Sequence, residues 1–184
     1  MTQQEALQIL KKYTTKPNLI KHAKAVAECM RHFAQLFGDD PEYWAVIGLL
    51  HDIDYEMFPD EHCLKCEEIL REEGFDDRAI HNIQSHGCGL ACKSVDPDCE
   101  MEMALLIVDQ LSGFIIACAL MKPDKKLSSV DLASIKKRWK EKSFASGTGR
   151  DRIIEWCDKL GKDFDYMAQE TLNALNKISD ELGI

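Results

Sequence analysis

Residues 103–121, MALLIVDQLSGFIIACALM, form an almost unbroken apolar run with Asp109, Gln110 and Ser112 at its centre. The run approaches the length of a membrane span, which takes about 20 apolar residues. A central Asp, however, costs about 2.5–3.5 kcal/mol on insertion scales. The cheaper solution is a buried helix of a soluble protein, and the remaining chain must then cover a long apolar rod. A carboxylate inside such a helix has to be paired, protonated or bound to a metal, so Asp109 is expected to meet a cationic partner.

The rest of the chain reads as helix after helix. Thr2 with Glu5 makes a capping box that opens a first helix near 3–13, and Pro17 begins a second that runs to about Phe37. Asp40-Pro41 opens a third, which carries Trp44, Ile47 and Leu50 inward and ends near His51-Asp52. IDYEMFPDE then reads as a loop, and a fourth helix is expected over about 61–73, stopped by Gly74. Asp76 caps a fifth that runs towards His86 and is broken by Gly87 and Gly89. The long apolar helix follows over about 98–121, closed by Pro123. Ser128 with Asp131 is expected to cap a seventh, SFASGTG at 143–149 to form a loop, and an eighth helix to span 150–160 before Gly161. A last amphipathic helix is expected over about 163–182. No stretch shows sustained alternation with β-branched residues, so the fold class is all-α. With 184 residues, 45% of them apolar, no repeat and no Gly/Ser- or Pro-rich linker, one domain over 1–184 is expected.

A formal charge of −9 argues against a nucleic-acid partner, because neutralising phosphates needs an excess of Lys and Arg. Residues 122–152 depart from that average with a local balance of +6, and Lys122, Lys125, Arg150 and Arg152 there are candidates for phosphate contact against the plainer reading of solvated faces. The N-terminal MTQQEALQILKKY lacks the apolar core of a signal peptide, so a cytoplasmic protein without a membrane partner is expected. Its eight cysteines are then expected as reduced thiols. Cys29, Cys118 and Cys157 read as small core residues. Cys63, Cys66, Cys88, Cys92 and Cys99 have spacings that a structural zinc site uses, although Cys63 and Cys66 also fit one core-facing turn of a helix.

Four of the six histidines and two aspartates fall in the order His22, His51-Asp52, His62, His86, Asp109. His22 lies on the stripe continued by Val26, Met30 and Phe33, where a lone histidine is usually a satisfied edge residue. His51-Asp52 puts an imidazole beside a carboxylate at the end of an apolar helix, where both can converge on one ion. Such ligands suit Zn, Fe, Mn, Co or Ni without choosing among them. His62 and His86 lie near helix ends close to that junction, and a bridging Asp52 would bring in a second metal. His32 and His81 are left as surface or edge residues.

The order His22, His51-Asp52, Asp109, all on helices, resembles the HD-domain superfamily of metal-dependent phosphohydrolases, and LLHDIDYE is similar to its HDIG-type branch. The resemblance covers about residues 18–118 and leaves about 122–184 as a helical extension. It implies that His22, His51, Asp52 and Asp109 bind one metal and that His62 and His86 bring in a second. Some two-metal members carry a further histidine next to the second of these, where this chain has Gly87, so the second site is expected to be weaker or to be completed by water or another residue. The implied activity is hydrolysis of a phosphoester in a nucleotide or other small phosphorylated molecule by metal-activated water, with Asp52 bridging. Asp54 and Glu56 are placed either to orient water or a ligand imidazole or to face solvent. Alternatives are a di-iron oxygenase built on the same ligands and a non-catalytic metal- or nucleotide-binding sensor. A homodimer is compatible with a compact helical domain.

Overall fold

A computed structural model describes residues 1–92 and 95–184. Among them are ten α-helices: α1 (Gln3–Tyr13), α2 (Pro17–Phe37), α3 (Pro41–Leu50), α4 (Cys66–Glu72), α5 (Asp77–Gln84), α6 (Glu100–Leu120), α7 (Leu132–Trp139), α8 (Arg150–Leu160), α9 (Phe164–Lys177) and α10 (Ser179–Leu182). Short 3-10 turns cover Pro59–Glu61, Ser85–Gly87 and Leu127–Ser129. The only extended pairing among the described residues is a single bridge between Cys88 and Cys92. The all-α class expected from the sequence is the observed one.

The apolar run is α6, and it lies at the centre with α2, α8 and α9 packed along it. Although long and apolar enough to cross a membrane, α6 is mostly buried against its neighbours, as a core helix is. One apolar cluster runs from Ala6 in α1 through Leu105 and Phe114 in α6 to Leu175 in α9 and Leu182 in α10. The expected capping box is present at α1, where the Thr2 hydroxyl accepts from the Glu5 amide and Glu5 accepts from the Thr2 amide.

Gly38, in the left-handed conformation at φ 75°, turns the chain from α2 into α3. The two helices then pack closely because of Gly48, where a Cβ would lie 2.8 Å from Met30 Cγ and 3.2 Å from Ala27 Cα. This close approach carries the end of α3, with His51, alongside His22 near the start of α2.

The structure corrects three boundaries. The helix expected over about 61–73 begins only at Cys66, because Cys63 takes a left-handed φ of 65° and interrupts the helical run. The cap of α7 is Asp131 alone, with Ser134 completing the box, while Ser128 lies in the preceding 3-10 turn. The last helix is divided at Ile178 (φ −118°, ψ 17°), a turn that returns Leu182 to the core and presents its carbonyl to Lys21 Nζ at 2.8 Å.

Candidate metal centre

Two nests of side chains meet on Asp52. In the first, His22 Nε2 lies 3.3 Å from His51 Nε2 and 3.0 Å from Asp109 Oδ1. His51 Nε2 is 3.3 Å from the same Asp109 oxygen. Asp52 Oδ2 closes this nest, 3.4 Å from His51 Nε2 and 3.7 Å from His22 Nε2. The other oxygen, Oδ1, faces the second nest, 3.3 Å from His62 Nε2 and 3.5 Å from His86 Nε2. Those two nitrogens are 3.2 Å apart. All six residues singled out in the sequence therefore converge.

The far side of each ring explains why the Nε2 atoms face inward. His51 Nδ1 bonds the Gly48 carbonyl at 2.8 Å, and His86 Nδ1 bonds the Ile83 carbonyl at 2.5 Å. In each case the carbonyl belongs to the residue three positions earlier in the same turn. His62 Nδ1 bonds Asp54 Oδ1 at 2.8 Å. With Nδ1 donating, Nε2 of a neutral imidazole has only a lone pair to present. His62 and His86 thus aim two lone pairs and a carboxylate oxygen at one point, an arrangement that calls for a cation.

Burial opposes charge on His51, but Asp52 and Asp109 outweigh it and hold its pKa well above the usual imidazole value. Burial likewise opposes ionisation of Asp52, and His51 and His86 outweigh it, so its carboxyl stays well below the usual carboxylate range. Asp109 is lowered in the same way, against its burial, by His22 and His51. The side chains of His22, Asp52, His62 and Asp109 remain 25%, 22%, 20% and 21% exposed, so solvent reaches both nests.

Asp54 is fully buried and has two tasks: one oxygen holds His62, and the other accepts from the Cys66 amide at 2.9 Å, at the first turn of α4. Glu56 is placed elsewhere. It accepts from the Thr15 and Lys16 amides and the Thr15 hydroxyl, and so ties down the entry to α2.

Of the four basic candidates, Arg152 is beside the centre, donating to the His86 carbonyl at 3.2 Å. Arg150 is a structural plug. It donates to the carbonyls of Trp139, Glu141, Phe144 and Ala145 and lies over the Phe114 and Trp139 rings. Lys122 and Lys125 border other clefts, beside Cys118 and Ser179 respectively.

The eight cysteines are all free thiols. Cys29, Cys118 and Cys157 are buried as expected. The spaced set does not form one thiolate site: Cys88 bonds Asp96 and Cys99 accepts from Arg78, while Cys66 and Cys92 both donate to the Cys63 carbonyl. His32 and His81 pair with Glu170 and Glu102 outside the centre. Two further side chains border the centre without belonging to the ordered set of six. Cys63 Sγ lies 3.4 Å from His86 Nε2, and the exposed Tyr55 ring stands edge-on to His62 at 5.2 Å. The one signal in the sequence that could place Cys63 here is its adjacency to His62.

Comparison with known families matches the HD domain to residues 19–111, a stretch that contains every residue of both nests. The chain belongs to the HD domain family. Among curated proteins, the tRNA (cytidine(56)-2'-O)-methyltransferase of Thermoplasma volcanium is similar, at 33% identity over 90 residues. Those residues are 48% of this HD domain protein and 27% of the relative, so the chain spans about a quarter of the length of the curated relative it matches. No solved structure matches.

Proposed function

We propose that this HD domain protein is a metal-dependent phosphohydrolase that cleaves a phosphoester of a nucleotide or another small phosphorylated molecule. His22, His51, Asp52 and Asp109 would hold one divalent cation, and Asp52, His62 and His86 would hold a second. The observation that carries this reading is the Asp52 carboxylate spanning two histidine pairs whose Nε2 atoms face each other at 3.3 and 3.2 Å. Cations bound there supply Lewis acidity, bringing the pKa of water towards neutrality and offsetting phosphoryl charge.

The chain's own contribution is preorganisation. Gly48, Ile83 and Asp54 lock three imidazoles in the tautomer that presents Nε2, which makes Asp54 a positioning residue. Arg152 adds positive charge beside His86, where it donates to the backbone carbonyl. The methyl transfer named in the Thermoplasma volcanium relative is not carried over, because the shared stretch is a minor part of that protein.

The test is elemental analysis of oxygen-free protein beside Asp52→Ala, followed by phosphoester hydrolysis and O₂ uptake. Wild type is expected to retain about two transition metals per chain and to turn over substrate with redox-silent Mn or Zn. Asp52→Ala is expected to lose both properties. Full activity in that variant, or no metal after reconstitution with Mn, Fe, Zn, Co and Ni, overturns the reading. Retained iron with O₂ consumption replaces hydrolysis by an oxygenase. Ligand-dependent stabilisation without product replaces it by a sensor.

A further inference from the structure

We propose that Cys63 is a ligand of the second nest, where a cation would take the two imidazole nitrogens and the sulfur, with Asp52 Oδ1 facing the same two nitrogens. The inference rests on the two-cation reading above. Cys63 Sγ, His62 Nε2 and His86 Nε2 all lie within 4.8 Å of one another, with Sγ 3.4 Å from His86 Nε2. Asp52 Oδ1 lies 3.3 and 3.5 Å from the two nitrogens. His86 supplies an independent pointer, because its side chain is only 4% exposed and its Nδ1 is engaged with the Ile83 carbonyl. The remaining nitrogen is thereby aimed into the nest.

The surroundings hold the sulfur in place. The Cys63 carbonyl accepts from Gln84 Nε2, Cys66 Sγ and Cys92 Sγ at 3.1–3.2 Å, which fixes the backbone of this left-handed residue. On the opposite side is Gly87, where a Cβ would lie 2.6 Å from Cys63 Sγ and 2.9 Å from Cys63 Cβ. The thiol occupies the space that any side chain at position 87 would need.

Coordination breaks the S–H bond, passes the proton to solvent water and uses a sulfur lone pair for the bond to the cation. The two nests are then chemically unlike. The first offers only nitrogen and oxygen, whereas the second carries a soft donor that favours Zn, Co or Fe(II) over Mg or Mn.

The experiment is stepwise anaerobic addition of Co(II) to the full metal-free chain, read by near-ultraviolet and visible absorption. Wild type is expected to show a thiolate-to-cobalt charge-transfer band as the second nest fills. Cys63→Ser is expected to lose the band and to bind the second cobalt about tenfold or more weakly, while still taking up the first, which shows that it is folded. Cys66→Ser is expected to keep the band. Gly87→Ala, whose Cβ displaces the sulfur, is expected to lose it.

Two cobalt ions bound by wild type without the band, or a band that persists in Cys63→Ser, overturn the assignment. The thiol is then a hydrogen-bonding neighbour of His86, and the two-cation reading stands. Failure of wild type to bind cobalt overturns both. Two bound cobalt ions without the band in wild type overturn the assignment whether or not a variant folds, and Gly87→Ala tests it independently of Cys63→Ser.

Discussion

Asp52 places its two oxygens in different surroundings, one towards His22 and His51 and the other towards His62 and His86. Such a divided role depends on backbone placement, and one small residue decides much of it. A methyl group at Gly48 would press on Met30 Cγ and the Ala27 backbone. Gly48→Ala is therefore expected to destabilise the protein by about 1–3 kcal/mol in urea denaturation. Gly113, inside α6, has nothing within 4 Å of its would-be Cβ. Gly113→Ala should stabilise by about 0.5–1 kcal/mol through helix propensity. The same denaturation curves test both signs; equal effects would remove the packing argument. His51, Asp52 and Asp109 were legible because an imidazole beside a carboxylate at one apolar helix end and a lone carboxylate inside another apolar helix both demand a cation, while His22, His62 and His86 took their weight from the order shared with the HD-domain family. Cys63 was not, because helical periodicity turned it towards the core with Cys66 and carried no sign of its left-handed backbone.

Among the elements, α1 and α3 were legible from their caps, and α2 and α8 were legible although neither has a side-chain cap. Thr2 and Asp40 began helices where expected, whereas α4 starts late because Cys63 takes a left-handed backbone, and the Asp54 carboxylate then meets the first turn at Cys66. At α7 the Asp131 side chain accepts from the Ser134 amide at 2.8 Å, and Ser128 takes no part. Asp131→Ala is expected to cost about 1 kcal/mol, with Ser128→Ala near neutral, in thermal melts; the reverse order would restore Ser128 as the cap.

The α1 helix depends on two carboxylates. Glu42 accepts from the Gln3 amide and from Arg31, and Glu73 accepts from Lys12 and Tyr13. The Gln3 amide, then Arg31, hold the Glu42 carboxyl below its ordinary value; Lys12, then Tyr13, do so for Glu73. A depressed carboxyl contributes stability above the ordinary glutamate pKa of about 4.3 and loses it as pH falls through the lower folded value. Hydrogen exchange in α1 is thus expected to accelerate on acidification, relative to α6, and Glu42→Gln should flatten that dependence. An unchanged profile in the variant would place the acid sensitivity elsewhere.

At the scale of the molecule, α6 gives the core its axis and the first nest its Asp109, so stability and the centre are linked. Metal that binds only the folded chain should raise its stability by about 2.7 kcal/mol at a hundredfold excess over Kd. Chelation is accordingly expected to lower Tm in calorimetry, with Asp52→Ala insensitive to chelator; equal shifts in both proteins would mean that the cation binds elsewhere. The central helix was legible in the sequence as a whole, since an apolar run with a carboxylate inside had to be covered. How the later helices cover it was not, because Arg150 reads as a surface charge until its four carbonyl partners are assembled by the 139–145 segment.

His22 and Asp109 meet across 87 positions of chain. On a ribosome adding about 5–20 residues each second, His22, His51 and Asp52 emerge several seconds ahead of Asp109. During that interval the growing polypeptide carries an unfinished claw, open to whatever ion is most abundant nearby. Only the arrival of α6 closes the grip, so the full donor set of the first nest exists late, in a completed frame, rather than when its first donors leave the exit tunnel.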